Sequence, residues 1–238
     1  RHTRYISVTG VQTCALPISY SLIHDDLPAM DDDTLRRGKP TLHVVVGEGM
    51  AILAGDGLLT EAFALLAREP VSADPIVVER KLRVVGVIAH GAGAIGMVGG
   101  QAIDLQHMGA ATEPTTMSVL DLQDMHARKT GALLRASAVA GAIMGGGSAD
   151  QIAAIDRAAT DLGLAFQIVD DILDVEGASA TLGKTAGKDA ASGKPTYPHV
   201  YGLERSRQLA ADCLTRAAAV LGDAHLADTR LQIGRAHV

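Results

Sequence analysis

Apolar residues recur at three- and four-residue spacing along most of the chain, a pattern that predicts helices and no convincing strand. Residues 20–27 read as the end of an apolar helix that runs into an acidic turn and a basic loop, Asp31 to Pro40. A helix over about 47–68 carries Ile52, Leu53, Leu58, Leu59, Phe63, Leu65 and Leu66. After a connection from Pro70 to Pro75, two apolar helices fill about 75–108. Pro114 opens a short loop, a helix covers about 117–144, and Gly145-Gly146-Gly147-Ser148 breaks the pattern. Residues 149–175 form a long helix ending in aspartates, 177–199 form a loop rich in Gly, Lys, Ser and Pro, and a last helix covers about 203–222. With no internal repeat and no low-complexity linker, the pattern predicts an all-α fold, a single large helical bundle.

Three stretches depart from this pattern. Between Arg83 and Asp104 no Asp, Glu, Lys or Arg occurs, a gap long enough to cross a bilayer. It holds six glycines and His90, so it reads as a helix buried on all sides in the bundle and not as a membrane span. Residues 8–18 show no helical or strand period and resemble the in-frame translation of a sequencing-library adaptor, as do residues 233–238. Residues 1–19 and 232–238 are therefore set apart as non-native, 20–231 as the domain proper, and the biological protein is expected to begin upstream of Tyr20.

Composition sharpens the fold. Hydrophobic residues make up 47% of the chain but aromatics only 3%, so the core must be built from Ala, Leu, Ile, Val and Met, which suits close helix contacts. A net charge of −6 argues against a nucleic-acid surface, though bound cations can still make a site for an anion. Two cysteines, Cys14 and Cys213, make no disulfide framework, and a cytoplasmic location is the expectation.

The chemistry lies in two aspartate clusters, Asp25-Asp26-Leu27-Pro28-Ala29-Met30-Asp31-Asp32-Asp33 and Asp170-Asp171-Ile172-Leu173-Asp174. Asp170 and Asp174 share one helix face, where bare like charges repel one another and a cation removes the penalty. Oxygen ligands of high charge suit magnesium. Pro28 should bulge or end its helix and give Asp25 and Asp31 room to converge. Either cluster alone reads equally as a solvated acidic turn; two together, each preceded by apolar helix, point to a metal site. Arg36-Arg37-Gly38-Lys39-Pro40 follows the first cluster, and Lys184, Lys188 and Lys194 follow the second. Acid for metal beside base for phosphate is the donor set of a diphosphate site. Lys39 and Lys188 fit an ordinary solvated loop better, and Lys129 reads equally as an exposed helix lysine.

These runs resemble the two Asp-rich motifs of trans-isoprenyl diphosphate synthases, and of bacterial farnesyl diphosphate synthases in particular. Gly100-Gln101-Ala102-Ile103-Asp104, Lys129-Thr130-Gly131 and Gly193-Lys194-Pro195-Thr196-Tyr197-Pro198 match in the same order, so the resemblance covers about residues 20–231. It implies that Asp25, Asp31 and Asp170 are direct ligands of three magnesium ions, with Asp26, Asp171 and Asp174 completing the metal-binding clusters through water or hydrogen bonds. It implies that Arg36, Lys129, Thr130, Gln167, Lys184 and Lys194 contact the allylic diphosphate, and Arg37 that of isopentenyl diphosphate. Tyr20 and Ser21, five and four residues before Asp25, are implied to set product length, with farnesyl diphosphate as product. Thr34 stands where close relatives often have a fourth Asp. The family's upstream Gly-Lys-x-Arg segment for isopentenyl diphosphate does not occur before the first motif, so the 238 residues alone are expected to turn over little. The resemblance also implies a homodimer. Other readings are a geranylgeranyl diphosphate synthase, a terpene cyclase, which usually lacks the complete second motif, and a non-catalytic prenyltransferase subunit, which tends to lose both.

Overall fold

In the computed structural model, residues 2–109, 118–176 and 196–226 are described. Helix α1 (His2–Asp25) leads into a two-stranded antiparallel hairpin, β1 (Leu35–Arg36) and β2 (Lys39–Pro40). Then come α2 (Leu42–Val46), α3 (Glu48–Arg68), α4 (Pro75–Ala92), α5 (Met97–Gly109) and α6 (Val119–His126). A π-turn (Ala127–Gly131) joins α6 to α7 (Ala132–Gly145), followed by α8 (Ala149–Glu176), α9 (Tyr197–Tyr201) and α10 (Leu203–Asp223).

The core is built from small and aliphatic side chains, in separate clusters between helices. Leu66 of α3, Val84 and Ile88 of α4, and Val139 and Ile143 of α7 form one cluster. Leu122 and Met125 of α6 pack with Ile168 and Ile172 of α8, Tyr197 of α9 and Cys213 of α10 in another. Together they hold α6, the π-turn and α8 side by side, and these elements carry most of the candidate site.

Four expectations need correction. Residues 8–18 are helical, because tertiary packing overrides their weak pattern: Cys14 is buried in the cluster with Leu66 and Val84, and Pro17 sits inside α1 at the expense of one backbone bond. The apolar run from Arg83 to Asp104 is not one helix buried on all sides. The break between Ala92 and Met97 agrees with the two helices expected over 75–108, but burial is incomplete: Ile95 and Val98 are exposed, since their outward faces meet no other element among the described residues. Glu48–Arg68 and Pro75–His107 are long and apolar enough to cross a membrane by length and composition, yet the latter is interrupted by that break and carries Glu79, Arg80, Lys81 and Arg83. The basic loop after the first cluster contains a hairpin, short enough to escape any two-residue periodicity. Arg37 and Gly38 take the positive φ angles of 54° and 73° at its tip. Finally, the loop expected over 177–199 ends earlier: the Thr196 hydroxyl accepts from the His199 N–H at 3.3 Å and starts α9. Lys184, Lys188 and Lys194 lie outside the described residues, as do residues 232–238.

Candidate active site

Helix α1 stops at Asp25, ahead of Pro28, and the chain folds back on itself. The Asp31 N–H donates to the Asp25 carbonyl at 2.9 Å, and the Asp33 N–H donates to that of Asp26 at 3.2 Å. This closure brings the Asp25 and Asp31 carboxylates to one cation, Lys129. Its Nζ lies 3.1 Å from Asp25 Oδ1, 3.6 Å from Asp31 Oδ2 and 2.7 Å from Asp104 Oδ2. Burial opposes the charge on Lys129, but Asp25, Asp104 and Asp31 more than offset it and hold its pKa above the ordinary lysine value. The end of α1 is braced from the other side. His24 Nε2 lies 3.0 Å from the Ile52 carbonyl of α3, with its ring against Gly55.

Asp26 turns the other way and is buried. Arg36, presented by β1, grips it with Nε at 2.8 and 3.0 Å and Nη2 at 2.6 Å, while Nη2 also reaches Asp25 at 3.7 Å. Burial pulls the Arg36 pKa down and Asp26 raises it, with a net rise. Arg37 lies at the exposed tip of the hairpin.

The second cluster divides likewise. Asp170 is exposed and Asp174 half-buried at the end of α8, while Asp171 is buried. Asp171 accepts from Gln167 Nε2 at 2.8 Å and from the Tyr197 backbone N–H at 2.9 Å. Gln167 Oε1 in turn accepts from the Thr130 hydroxyl at 3.1 Å. The residues implied as diphosphate contacts, Thr130 and Gln167, thus form a chain from the π-turn through Asp171 to α9. Tyr197 stacks between His126 and Tyr201 at this end. Burial raises its phenol to about 12.

Tyr20 is buried below the first cluster with Ala92, Met97 and Leu133, its ring edge-on to His24 at 5.5 Å. Its hydroxyl is buried without a hydrogen-bond partner among the described residues. Ser21 is half-buried, and its hydroxyl donates to the Ile18 carbonyl at 2.9 Å. Asp104 enters the site from α5. The sequence marked it as the end of the matching run Gly100-Gln101-Ala102-Ile103-Asp104, but no sequence argument gave it a role.

The donor set fits magnesium. Asp25, Asp31 and Asp104 present carboxylate oxygens around Lys129, the hard oxygen donors that magnesium takes. Asp25 Oδ1 is buried and faces Lys129 without hydrogen-bond geometry, so it is an acceptor still open to a cation. Among the described residues no three metal-ligating side chains converge into a ready-made site, which suits an ion held by one or two carboxylates and substrate phosphates.

Residues 13–225 match the Polyprenyl synthetase family. The chain belongs to that family. It is 50% identical over 211 residues to the heterodimeric geranylgeranyl pyrophosphate synthase large subunit 1, chloroplastic, of Arabidopsis thaliana, covering 85% of this chain and 56% of that protein. It is 48% identical over 197 residues to the farnesyl diphosphate synthase of Geobacillus stearothermophilus, covering 82% of this chain and 64% of that protein. This polyprenyl synthetase chain thus spans a little over half to just under two thirds of these relatives. Its fold matches a Helicobacter pylori geranyltransferase structure, complexed with magnesium and isoprenyl diphosphate, with a TM-score of 0.77 at 30% identity, over 90% of this chain and 67% of that one.

Proposed function

We propose that the protein condenses an allylic diphosphate, dimethylallyl or geranyl, head to tail with isopentenyl diphosphate. The allylic carbon–oxygen bond breaks and diphosphate departs. The double bond of isopentenyl diphosphate attacks the allylic carbon, and a proton passes to the departing diphosphate to restore a double bond. The observation that carries this reading is the convergence of Asp25 and Asp31 on Lys129, beside the Asp26–Arg36 pair.

Asp25, Asp31 and Asp170 would hold magnesium, three ions in all, whose charge stabilises the departing diphosphate. Lys129 and Arg36 place fixed positive charge where negative charge develops on the leaving group, so little reorganisation is needed as the bond breaks. Gln167, held by Asp171 through one N–H, would supply its second N–H as a neutral donor, and the Thr130 hydroxyl would supply another by turning from Gln167 to the diphosphate. The apolar side chains around Tyr20 would exclude water from the allylic cation and give the growing chain a dry surface. Incubation of a catalytically active form with isopentenyl and geranyl diphosphates plus magnesium should yield a longer prenyl diphosphate; hydrocarbon products would instead indicate a cyclase.

Farnesyl diphosphate is the proposed product. The support is the bulk of Tyr20, buried one and a half turns before Asp25, where its ring would floor the cavity. Tyr20→Ala should shift the products to twenty carbons or more in a radiolabelled chain-length assay. A variant that still stops at fifteen carbons places the floor elsewhere, and a parent that already makes twenty is a geranylgeranyl diphosphate synthase, as several relatives are named.

A homodimer is proposed to cover the apolar side chains left exposed on α3 and α4, Met50 and Leu53 on one and Ile76 and Leu82 on the other. Sedimentation equilibrium should give twice the chain mass, with Leu53→Glu plus Leu82→Glu driving it to monomer; a parent that is monomeric at micromolar concentration rules this out. A cytoplasmic location is proposed on the two free, buried cysteines.

A further inference from the structure

Lys129 has a place in the proposed chemistry, but Asp104 does not touch substrate in it. Asp104 is nevertheless the nearest partner of Lys129, at 2.7 Å, and its side chain is only 1% exposed. Aspartates are almost never buried to this degree unless paired. The backbone is arranged to make the pairing. A Cβ on Gly100 would fall 2.2 Å from the Lys129 backbone nitrogen and 2.6 Å from its Cα, so only glycine lets α5 and the π-turn meet this closely. Asp104 stands four residues on from Gly100 and so shares its face of α5. One helix face therefore abuts the Lys129 backbone and, one turn later, receives its ammonium group.

We propose that Asp104 is a positioning residue for Lys129, a buried carboxylate that keeps the ammonium group in place when Asp25 and Asp31 turn to a cation and its diphosphate. The three carboxylates are not equivalent. Those of Asp25 and Asp31 are 19% and 26% exposed, at the end of α1 and in the turn beyond it. Asp104 has no such freedom on the interior face of α5. Without it, the ammonium group settles on Asp25 and Asp31 and competes with the cation for their oxygens. Lys129 then meets diphosphate from the wrong place. This inference rests on the assignment of diphosphate to Lys129 under the proposed function.

The test uses the 238-residue chain, with inorganic diphosphate and magnesium as the probe in calorimetry. Asp104→Asn keeps the shape and removes the charge. It should weaken diphosphate binding by about 10–100-fold, the range typical of losing an outer partner of a liganding group. Asp104→Glu should recover part of that affinity. In a Lys129→Gln background the same Asp104→Asn change should alter affinity by less than about twofold, because the residue acts through the lysine. Parental affinity in Asp104→Asn, or an equal loss in both backgrounds, overturns the proposal. A second readout needs no diphosphate. In protein labelled with 15N-lysine, the Lys129 ammonium resonance, assigned by its loss in Lys129→Gln, should move and lose its protection from exchange in Asp104→Asn, and return toward the parental position in Asp104→Glu. An unmoved resonance overturns the proposal whatever the binding data say. A parent chain that binds no diphosphate, with a resonance that moves, removes diphosphate from Lys129 in this chain and leaves the Asp104–Lys129 link standing.

Discussion

Replacing Asp25 with alanine in a catalytically active form of the protein should lower condensation turnover by at least about 10²–10³-fold, the usual loss for one electrostatic stabiliser. Asp25 closes α1, lies 3.1 Å from Lys129 and is touched by Arg36 at 3.7 Å, so it meets both basic groups. Its loss would remove a proposed magnesium ligand and leave both basic side chains with one partner fewer. Asp170→Ala should fall by a similar factor from the opposite cluster, although Asp170 is exposed and its removal should leave the fold intact. Steady-state assays with geranyl and isopentenyl diphosphates decide the matter. Turnover near the parental rate in either variant would falsify the assignment of these clusters to magnesium.

Lys129→Met should produce the largest loss of stability. Asp104 would keep its burial but lose its nearest cation, and breaking a buried pair from one side costs about 3–5 kcal/mol. Urea denaturation of the variant should show a loss in that range, and pairing it with Asp104→Leu should restore much of it. A loss below about 0.5 kcal/mol, the scale of an ordinary surface substitution, would mean that Lys129 does not buttress the site. The pH dependence follows from the direction of its shift. A lysine whose folded pKa is raised contributes stability that is fully present below its unfolded pKa and is lost as pH rises through the folded value. The Lys129 contribution should therefore be flat from about pH 6 to pH 9 and fade only in strong alkali.

The long helices were legible because amphipathic periodicity survives in the sequence. The patterns over 149–175 and 203–222 correspond to α8 at Ala149–Glu176 and α10 at Leu203–Asp223. The sequence also marked out the aspartate clusters, yet it could not show that neighbouring carboxylates do different work. Asp25 and Asp31 face Lys129, whereas Asp26 is engaged by Arg36 and Asp171 by Gln167 and the Tyr197 N–H. Adjacent residues on a helix point about 100° apart, so a doubled aspartate offers one carboxylate to the site and the next to the scaffold. Which is which depends on partners 10 and 26 residues away, beyond the reach of local pattern. The end of α1 was legible over 20–27, but its N-terminal part was missed for a related reason: Cys14 is held by contacts with α3, α4 and α7, and nothing in its own neighbourhood forecasts them. The expected helix over 117–144 was read as continuous, because a π-turn changes hydrogen bonding without changing composition.

That widened turn has a bearing on which changes in length the chain can absorb. A regular helix advances about 100° per residue, and the five-residue span Ala127–Gly131 shifts everything beyond it out of phase with a straight continuation. Deleting one residue there would let an ordinary helix run from Val119 to Gly145 with a better local bonding pattern. The flanking stripes, Leu122 and Met125 before it and Leu133, Ala136 and Ala140 beyond it, would keep their present relative orientation, because the widened turn already absorbs one extra residue. The change would fall on the turn itself, where Lys129, Thr130 and Gly131 could not all keep their places. The segment is slack taken up at the site: removing one residue there should spare the packing on either side and cost the site, whereas adding one elsewhere in α6 or α7 would turn a buried stripe outward by about 100°.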